Sequence, residues 1–174
     1  MDQHHDADRW LTDTVARYEG RLILYAQRLL AAEGGLSRAR DVVQETFLKL
    51  CRTPREQVAG HEAAWLYTVC RRTALDVKRK ERRMSQITDD AASTLHDPSA
   101  DPSLAVERND SADQVMRMLE RLPENQREAI VLKFGHGLSY AQIAQITGHT
   151  VSNVGFLIHA GLKAVRSRVA GATV

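Results

Sequence analysis

Apolar residues along the chain recur three and four positions apart, the period of a helix with one buried face, and no stretch reads convincingly as strand. Trp10, Val15, Tyr18, Leu22, Tyr25 and Leu29 mark a first long helix, ended at or just before Gly34 and Gly35. The polar stretch with His4 and His5 ahead of it reads as a frayed tail. Ser37 is placed to cap a second helix, which runs through Val42, Val43, Phe47, Leu48 and Cys51 and closes at Pro54. A loop over 53–60 leads into a third helix, roughly Glu62 to Arg83, with Trp65, Leu66, Val69, Ala74 and Val77 as its core stripe. The pattern then lapses: residues 84–109 hold Pro98, Pro102, small residues and acids, too little bulk to bury, and predict a flexible acidic linker.

Periodicity resumes with Val115, Met118, Leu119 and Leu122, a helix that stops before Pro123. Pro123 suits the first turn of the next helix, Glu124 to Phe134, which Gly135 and Gly137 break. Ser139 is placed to cap a short helix from Tyr140 to Ile146. Gly148 makes a turn, and Thr150 caps a last helix with Val151, Val154, Ile158, Leu162, Val165 and Val169 facing inward. A short helix, a tight glycine turn and a second helix form the helix-turn-helix pattern. The expected fold is all-α: two small helical domains, 1–84 and 110–174, joined by a linker over 85–109, the C-terminal one carrying the helix-turn-helix.

The 174 residues suffice for two small cores. A net charge of +2 says little, but its distribution says more. Residues 65–83 carry Arg71, Arg72, Lys78, Arg79, Lys80, Arg82 and Arg83 against Asp76 and Glu81. Residues 84–110 carry Asp89, Asp90, Asp97, Asp101, Glu107 and Asp110 against Arg108. A polyanion-binding face followed by an acidic connector fits this asymmetry; a solvated helix face beside a surface loop is the alternative that charge alone leaves open. Cys51 and Cys70 make neither a metal pattern nor a disulfide framework and are expected as buried free thiols. No apolar run is long enough to span a bilayer and no signal-peptide core opens the chain, which predicts a cytoplasmic protein without membrane insertion. Ser, His and Asp are scattered over caps, loops and tails, so no catalytic set, metal site or cofactor is expected.

Three stretches, in order, resemble bacterial sigma factors. "ARDVVQETFLKLCR" is similar to their second region, "AWLYTVCRRTALDVKRKERR" to the promoter-melting helix that follows, and "LERLPENQREAIVLKFGHGLSYAQIAQITGHTVSNV" to their C-terminal domain. The two-domain layout resembles the extracytoplasmic-function (ECF, group 4) sigma factors, and the likeness covers nearly all of the chain except the ends and the linker. It implies that Asp41, Gln44, Glu45 and Leu48 dock on the clamp helices of the largest subunit of core RNA polymerase. Spacings of three, four and seven put these residues on one side of a helix, where an ordinary exposed acidic face is the alternative. The third helix would bind the −10 element, where unstacked bases must be captured and separated phosphates neutralised. Arg71, Arg72, Lys78, Arg79, Arg82 and Arg83 supply charge. Trp65 or Tyr67 would supply a stacking face, although Trp65 also fits the core stripe. The loop before that helix, Thr53 to Gly60, with Arg55, Glu56 and Gln57 as its polar members, would pocket a flipped base, Arg55 and Gln57 being the candidate contacts. The family often has Asn where this chain has Arg72. The linker would thread toward the RNA path of the polymerase.

By the same resemblance the C-terminal domain would meet the polymerase flap and read the −35 element. Lys133, Tyr140, Thr150, Ser152, Asn153, Phe156, His159, Lys163 and Arg166 are its candidate contacts. ECF relatives commonly carry Lys and Arg at the positions matching Gly155 and Leu157, so those charges are absent here. Thr150, Ser152 and Asn153 sit at a helix N-terminus, where free N–H groups favour phosphate or base-edge acceptors. Asn can pair with adenine and Phe can meet a thymine methyl, while Gly155 would permit close approach to the groove. The expectation is an A/T-containing −35 element; packing of Phe156 on a neighbour or an anti-sigma factor is the other reading. The resemblance thus implies promoter-specific initiation with core RNA polymerase. The alternative is a sigma-like decoy or adaptor that binds an anti-sigma factor without recognising promoters.

Overall fold

A computed structural model describes residues 2–30, 35–89 and 117–171. The chain divides into two compact units, Met1–Pro98 and Ser99–Val174, and the described residues contain helices and turns but no strand.

The first unit packs three helices mutually: α1 (Asp2–Leu30), α2 (Gly35–Cys51) and α3 (Glu62–Asp89). Leu22, Tyr25, Ala26 and Leu29 of α1 meet Ala39, Val42, Val43 and Leu50 of α2 and Leu66, Tyr67, Cys70 and Ala74 of α3 in one buried layer. Thr46, wholly buried among them, donates its hydroxyl to the Val42 carbonyl at 2.8 Å, which satisfies it within its own helix. An ion pair between Arg38 and Glu81 links the start of α2 to α3.

Several boundaries differ from the sequence expectation. The stretch expected as a frayed tail is helical from Asp2: nothing before Trp10 is Gly or Pro, and Asp2 suits the positive end of the helix dipole. The side chains of His4 and His5 lie outside the described residues. Helix α2 begins at Gly35, whose φ of 56° only glycine adopts without strain, so Ser37 sits inside the first turn and is not its cap. Helix α3 runs on to Asp89, past Arg83, because 84–89 holds no Gly or Pro to stop it. The remainder of the expected linker, 90–109, and Val115 lie outside the described residues.

In the second unit 117–120 is helical, then come α4 (Glu124–Ile130), α5 (Tyr140–Thr147) and α6 (Val151–Gly171). Pro123 stands just before α4, at its cap position. After Ile130 the helix widens into a π turn, Val131–Gly135. Leu119, Leu122 and Ile130 form a core with Leu162, Ala164 and Val165 of α6 packed on it. Gly161 allows that approach: a Cβ there would stand 2.6 Å from Ile130 Cδ1. Helix α5 starts with a reciprocal cap, in which Gln142 N–H donates to Ser139 Oγ at 3.2 Å and Ser139 N–H donates to Gln142 Oε1 at 2.9 Å. It ends at Gly148 with φ 78°, the left-handed turn that re-aims the chain into α6.

Candidate polymerase and nucleic-acid interface

Helix α2 stands as a ridge between two grooves. One groove of about 410 Å³ is lined by Val15 and Ile23 of α1 and by Gln44, Phe47, Leu48 and Cys51 of α2. The other, about 450 Å³, lies between α2 and α3 and is lined by Asp41, Glu45, Thr73, Val77, Lys80 and Met84 among others. Asp41 and Glu45 flank the groove shared with α3; Gln44 and Leu48 flank the groove shared with α1, which Glu19 and Arg40 also line. The four expected docking residues therefore crown a single ridge. Leu48 is 45% exposed, an apolar side chain left in water between two polar neighbours. Lys49 crosses the base of the ridge, 3.6 Å from Glu45 Oε1 and donating to Thr73 Oγ1 at 3.1 Å. Cys51 is exposed, contrary to expectation: Leu50 takes the core position at the end of α2, and Cys51 follows Gln44 and Phe47 around to the groove. Cys70 is buried as expected. Burial pushes its thiol up to about 12, against an opposing hydrogen bond with Thr46, so it stays protonated and unreactive near neutral pH.

On α3, spacings of seven and four align Arg71, Lys78 and Arg82 in one row and Arg72, Arg79 and Arg83 in the next. The row of Arg72, Arg79 and Arg83 lies opposite the face that buries Leu66, Tyr67, Cys70 and Ala74, and the row of Arg71, Lys78 and Arg82 runs along the flank of that face. Arg72, Arg79, Arg82 and Arg83 are exposed, while Arg71 and Lys78 are half-buried. Arg79 has a loose partner in Asp76 at 3.4 Å. Tyr67 is not a stacking face. It is 1% exposed, with its ring 5.2 Å from that of Tyr25 in a tilted pair, and burial raises its hydroxyl pKa. Position 67 falls on the inward side of α3, together with Cys70 and Ala74. Trp65 is half-buried.

The loop before α3 contains a single 3₁₀ turn, Arg55–Gln57, anchored by a fully buried Val58. Arg55 and Gln57 are both exposed. Arg55, however, is already engaged: its Nη1 lies 2.7 Å from Asp6 Oδ2, and its guanidinium carbon stands 5.5 Å from the centre of the Trp10 ring. Glu62 receives the Gly60 N–H at 3.1 Å, and the polar edge of the Trp10 side chain favours its charged form. Burial alone would raise the Glu62 pKa; these interactions outweigh it and hold the carboxyl below its usual range.

On α6, Ser152, Phe156, His159, Lys163 and Arg166 follow one another at spacings of four and three and are all exposed, a single outward stripe about 21 Å long. Phe156 is 66% exposed. Asn153 is exposed beside the stripe, and its backbone N–H donates to Thr150 Oγ1 at 3.2 Å, so this cap occupies one of the N–H groups expected to await a phosphate. Val151 is 50% exposed and not part of the core. It is the first residue of α6, and the helix is buried only from Val154 onward. At Gly155 the Tyr140 ring lies alongside the helix, 3.6 Å from where a Cβ would stand. Lys133 in turn places its ammonium 5.2 Å from the centre of that ring. Lys133 and Tyr140 thus join the α6 stripe as one surface.

Residues 14–84 match the family model for sigma-70 region 2, and residues 112–165 match that for sigma-70 region 4. The chain is 34% identical to the ECF RNA polymerase sigma factor EcfG of Rhodopseudomonas palustris, over 72% of this chain and 67% of that one. It is 32% identical to the ECF sigma factor SigL of Mycobacterium tuberculosis, over 82% of this chain and 78% of that one. The chain belongs to the extracytoplasmic-function sigma factors. It is accordingly a factor that directs RNA polymerase to promoters. The fold agrees with that of the sigma factor RpoE of Bartonella quintana, solved with the anti-sigma factor NepR, at a TM-score of 0.68 and 21% identity over 95% of this chain and 97% of that one. No described helix of this sigma factor is long and apolar enough to cross a membrane, and no described cluster of His, Cys, Asp or Glu could hold a metal.

Sequence reasoning missed the contacts of Asp6 and Trp10 with Arg55. Both residues precede the matched segment, and no local pattern pairs a residue near the N-terminus with one about fifty positions later. It also missed the seat that Gly155 makes for Tyr140; a glycine in mid-helix was the one available signal.

Proposed function

We propose that this sigma factor, of the small group 4 class, works in the cytoplasm without catalytic chemistry of its own, with its parts divided as follows. Residues 1–84 dock on the clamp helices through Asp41, Gln44, Glu45 and Leu48, and bind and melt the −10 element. Arg71, Arg72, Lys78, Arg79, Arg82 and Arg83 hold the separated strands, and the turn carrying Arg55 and Gln57 receives a flipped base. Residues 85–109 link the domains. Residues 110–174 meet the flap and read the −35 element through Thr150, Ser152, Asn153, Phe156 and His159. Lys133, Tyr140, Lys163 and Arg166 grip phosphates.

The observation that carries this reading is the double row of cations on α3, with Arg72, Arg79 and Arg83 turned away from its buried face and Arg71, Lys78 and Arg82 along its flank. Transcripts made from genomic DNA by core polymerase with the purified protein should start downstream of one shared pair of −10 and −35 motifs. Random starts, together with retained binding of an anti-sigma factor, would favour the decoy. That second reading draws on the absence of full charge from Thr150 to Ala160. Docking has its own check. Leu48→Arg or Asp41→Lys should weaken core-polymerase affinity about tenfold or more, roughly 1.4 kcal/mol per factor of ten, with an unchanged thermal midpoint since the changes are on the surface. Wild-type affinity in both variants would remove α2 from the docking face.

A further inference from the structure

We propose that Trp10 and Asp6 are positioning residues for the −10 loop, and that Arg55 belongs to their brace instead of touching DNA. The inference rests on the reading of the 53–60 loop as the base-receiving element. Three separate parts of the chain meet at this point. From α1 come Asp6 and Trp10, which precede the segment matched to region 2. The 3₁₀ turn brings Arg55, and the start of α3 brings Glu62. The Arg55 guanidinium is held from two directions, by the Asp6 carboxylate at 2.7 Å and by the Trp10 ring at 5.5 Å. The Trp10 side chain also favours the charged form of Glu62, which receives the Gly60 N–H at 3.1 Å. One indole therefore contacts the start of the loop and acts electrostatically on the residue that follows its end. Val58, wholly buried between those ends, fixes the middle.

The chemistry favours a brace over a lock. The Asp6–Arg55 pair is exposed, 42% on the arginine side and 70% on the aspartate side, and such pairs are individually weak. It would not keep DNA out. Together with the ring contact and the Glu62–Gly60 hydrogen bond it restricts the orientations of a turn that contains Gly60 in the left-handed region at φ 84°. While Asp6 holds the Nη1 edge, that edge is not open to a phosphate. Glu56 and Gln57, exposed and outside this network of contacts, are the side chains of the turn left to meet a base, and of the two only the Gln57 amide both donates and accepts hydrogen bonds without bringing a negative charge to DNA.

The test uses holoenzyme assembled from core polymerase and the full chain, on a promoter library randomised across the −10 element with the −35 element varied separately. Trp10→Ala and Asp6→Asn should lower base preference in the −10 element several-fold and leave −35 preference and polymerase affinity unchanged. Trp10→Phe, which keeps a ring under the guanidinium but loses the indole N–H, should fall between wild type and Trp10→Ala. The deciding comparison is a charge swap. Arg55→Asp alone should lose −10 preference, and Asp6→Arg with Arg55→Asp should regain most of it. If the swap stays as defective as Arg55→Asp alone, Arg55 contacts DNA and the proposal is overturned. Unaltered −10 preference in both Trp10 variants overturns it as well. A wild-type holoenzyme without −10 preference would overturn the loop reading itself, and the brace with it.

Discussion

Helices α3 and α6 both present an outward face opposite a buried one, yet they are built differently. The α3 face carries two adjacent rows of Arg and Lys. The α6 face begins with Ser152, Phe156 and His159 and reaches a full positive charge only at Lys163, about three turns into the stripe. The physical demands of the roles proposed for the two faces differ in the same way. Opening a duplex separates two strands of phosphate that must be neutralised at once, whatever their sequence, and this term is electrostatic and salt-dependent. Reading an intact duplex depends on matching base edges, where hydrogen bonds and apolar contacts carry the information. Charge density belongs where strands are held, and neutral surface suffices where bases are compared.

Removing the outer row of α3 should have the largest effect. Replacing Arg72, Arg79 and Arg83 with Ala deletes three exposed cations, and the partner that would be stranded, Asp76 at 3.4 Å from Arg79, is itself in water. Fold stability should therefore change little. Formation of the open complex should collapse, and its salt dependence should flatten by about one unit of log slope for each phosphate left without its cation. Permanganate reactivity of unpaired thymines reads the first, and a salt titration of promoter binding the second. Normal opening in the triple variant would mean that the α3 rows are a solvated face and the contrast with α6 has no functional meaning.

The two faces were not equally legible in the sequence. The rows of α3 follow from helical period and charge alone, because an Arg opposite a buried stripe has nowhere to go but outward. Its inward side was less plain. Tyr67 has a polar tip that allows either placement, and only the neighbouring Tyr25 shows that it is buried. On α6 the stripe from Ser152 to Arg166 was visible, but period alone put Val151 in the core, where the end of the packed region leaves it exposed. Contacts between distant segments were the least legible. Asp6 with Arg55, Arg38 with Glu81 and Tyr140 over Gly155 all depend on how helices come together, which no local spacing encodes.

The α6 face should respond in discrimination more than in total affinity. Phe156→Ala removes the most exposed aromatic of the stripe and should cost about 1–3 kcal/mol of preference for the −35 sequence over a scrambled one, with Asn153→Ala relaxing preference at a single position. Competition between matched and scrambled duplexes, at one fixed salt concentration, separates this from general weakening. Normal transcription from −35-dependent promoters by Phe156→Ala, with loss of binding to an anti-sigma factor, would reassign this aromatic to a protein partner.

The smallest effect expected comes from making α6 resemble α3 by one charge. A Cβ at position 155 meets Tyr140 at 3.6 Å, an ordinary contact, so Gly155→Ala fits and should stabilise α6 by up to about 1 kcal/mol through helix propensity. Gly155→Lys keeps most of that gain but must pass the Tyr140 ring, over which the Lys133 ammonium already stands. The new cation therefore emerges next to an existing one, on a face that already carries the Lys133 charge. Binding to any duplex should tighten and its salt dependence should steepen by about one unit of log slope. Because the added interaction falls equally on matched and scrambled sequences, the ratio between them should not rise. Anisotropy titrations with both duplexes across a salt series measure slope and ratio together, with Gly155→Ala as the control that changes neither. A higher ratio in Gly155→Lys would show that the α6 face is limited by charge just as α3 is, and the distinction between holding strands and comparing bases would then be one of degree.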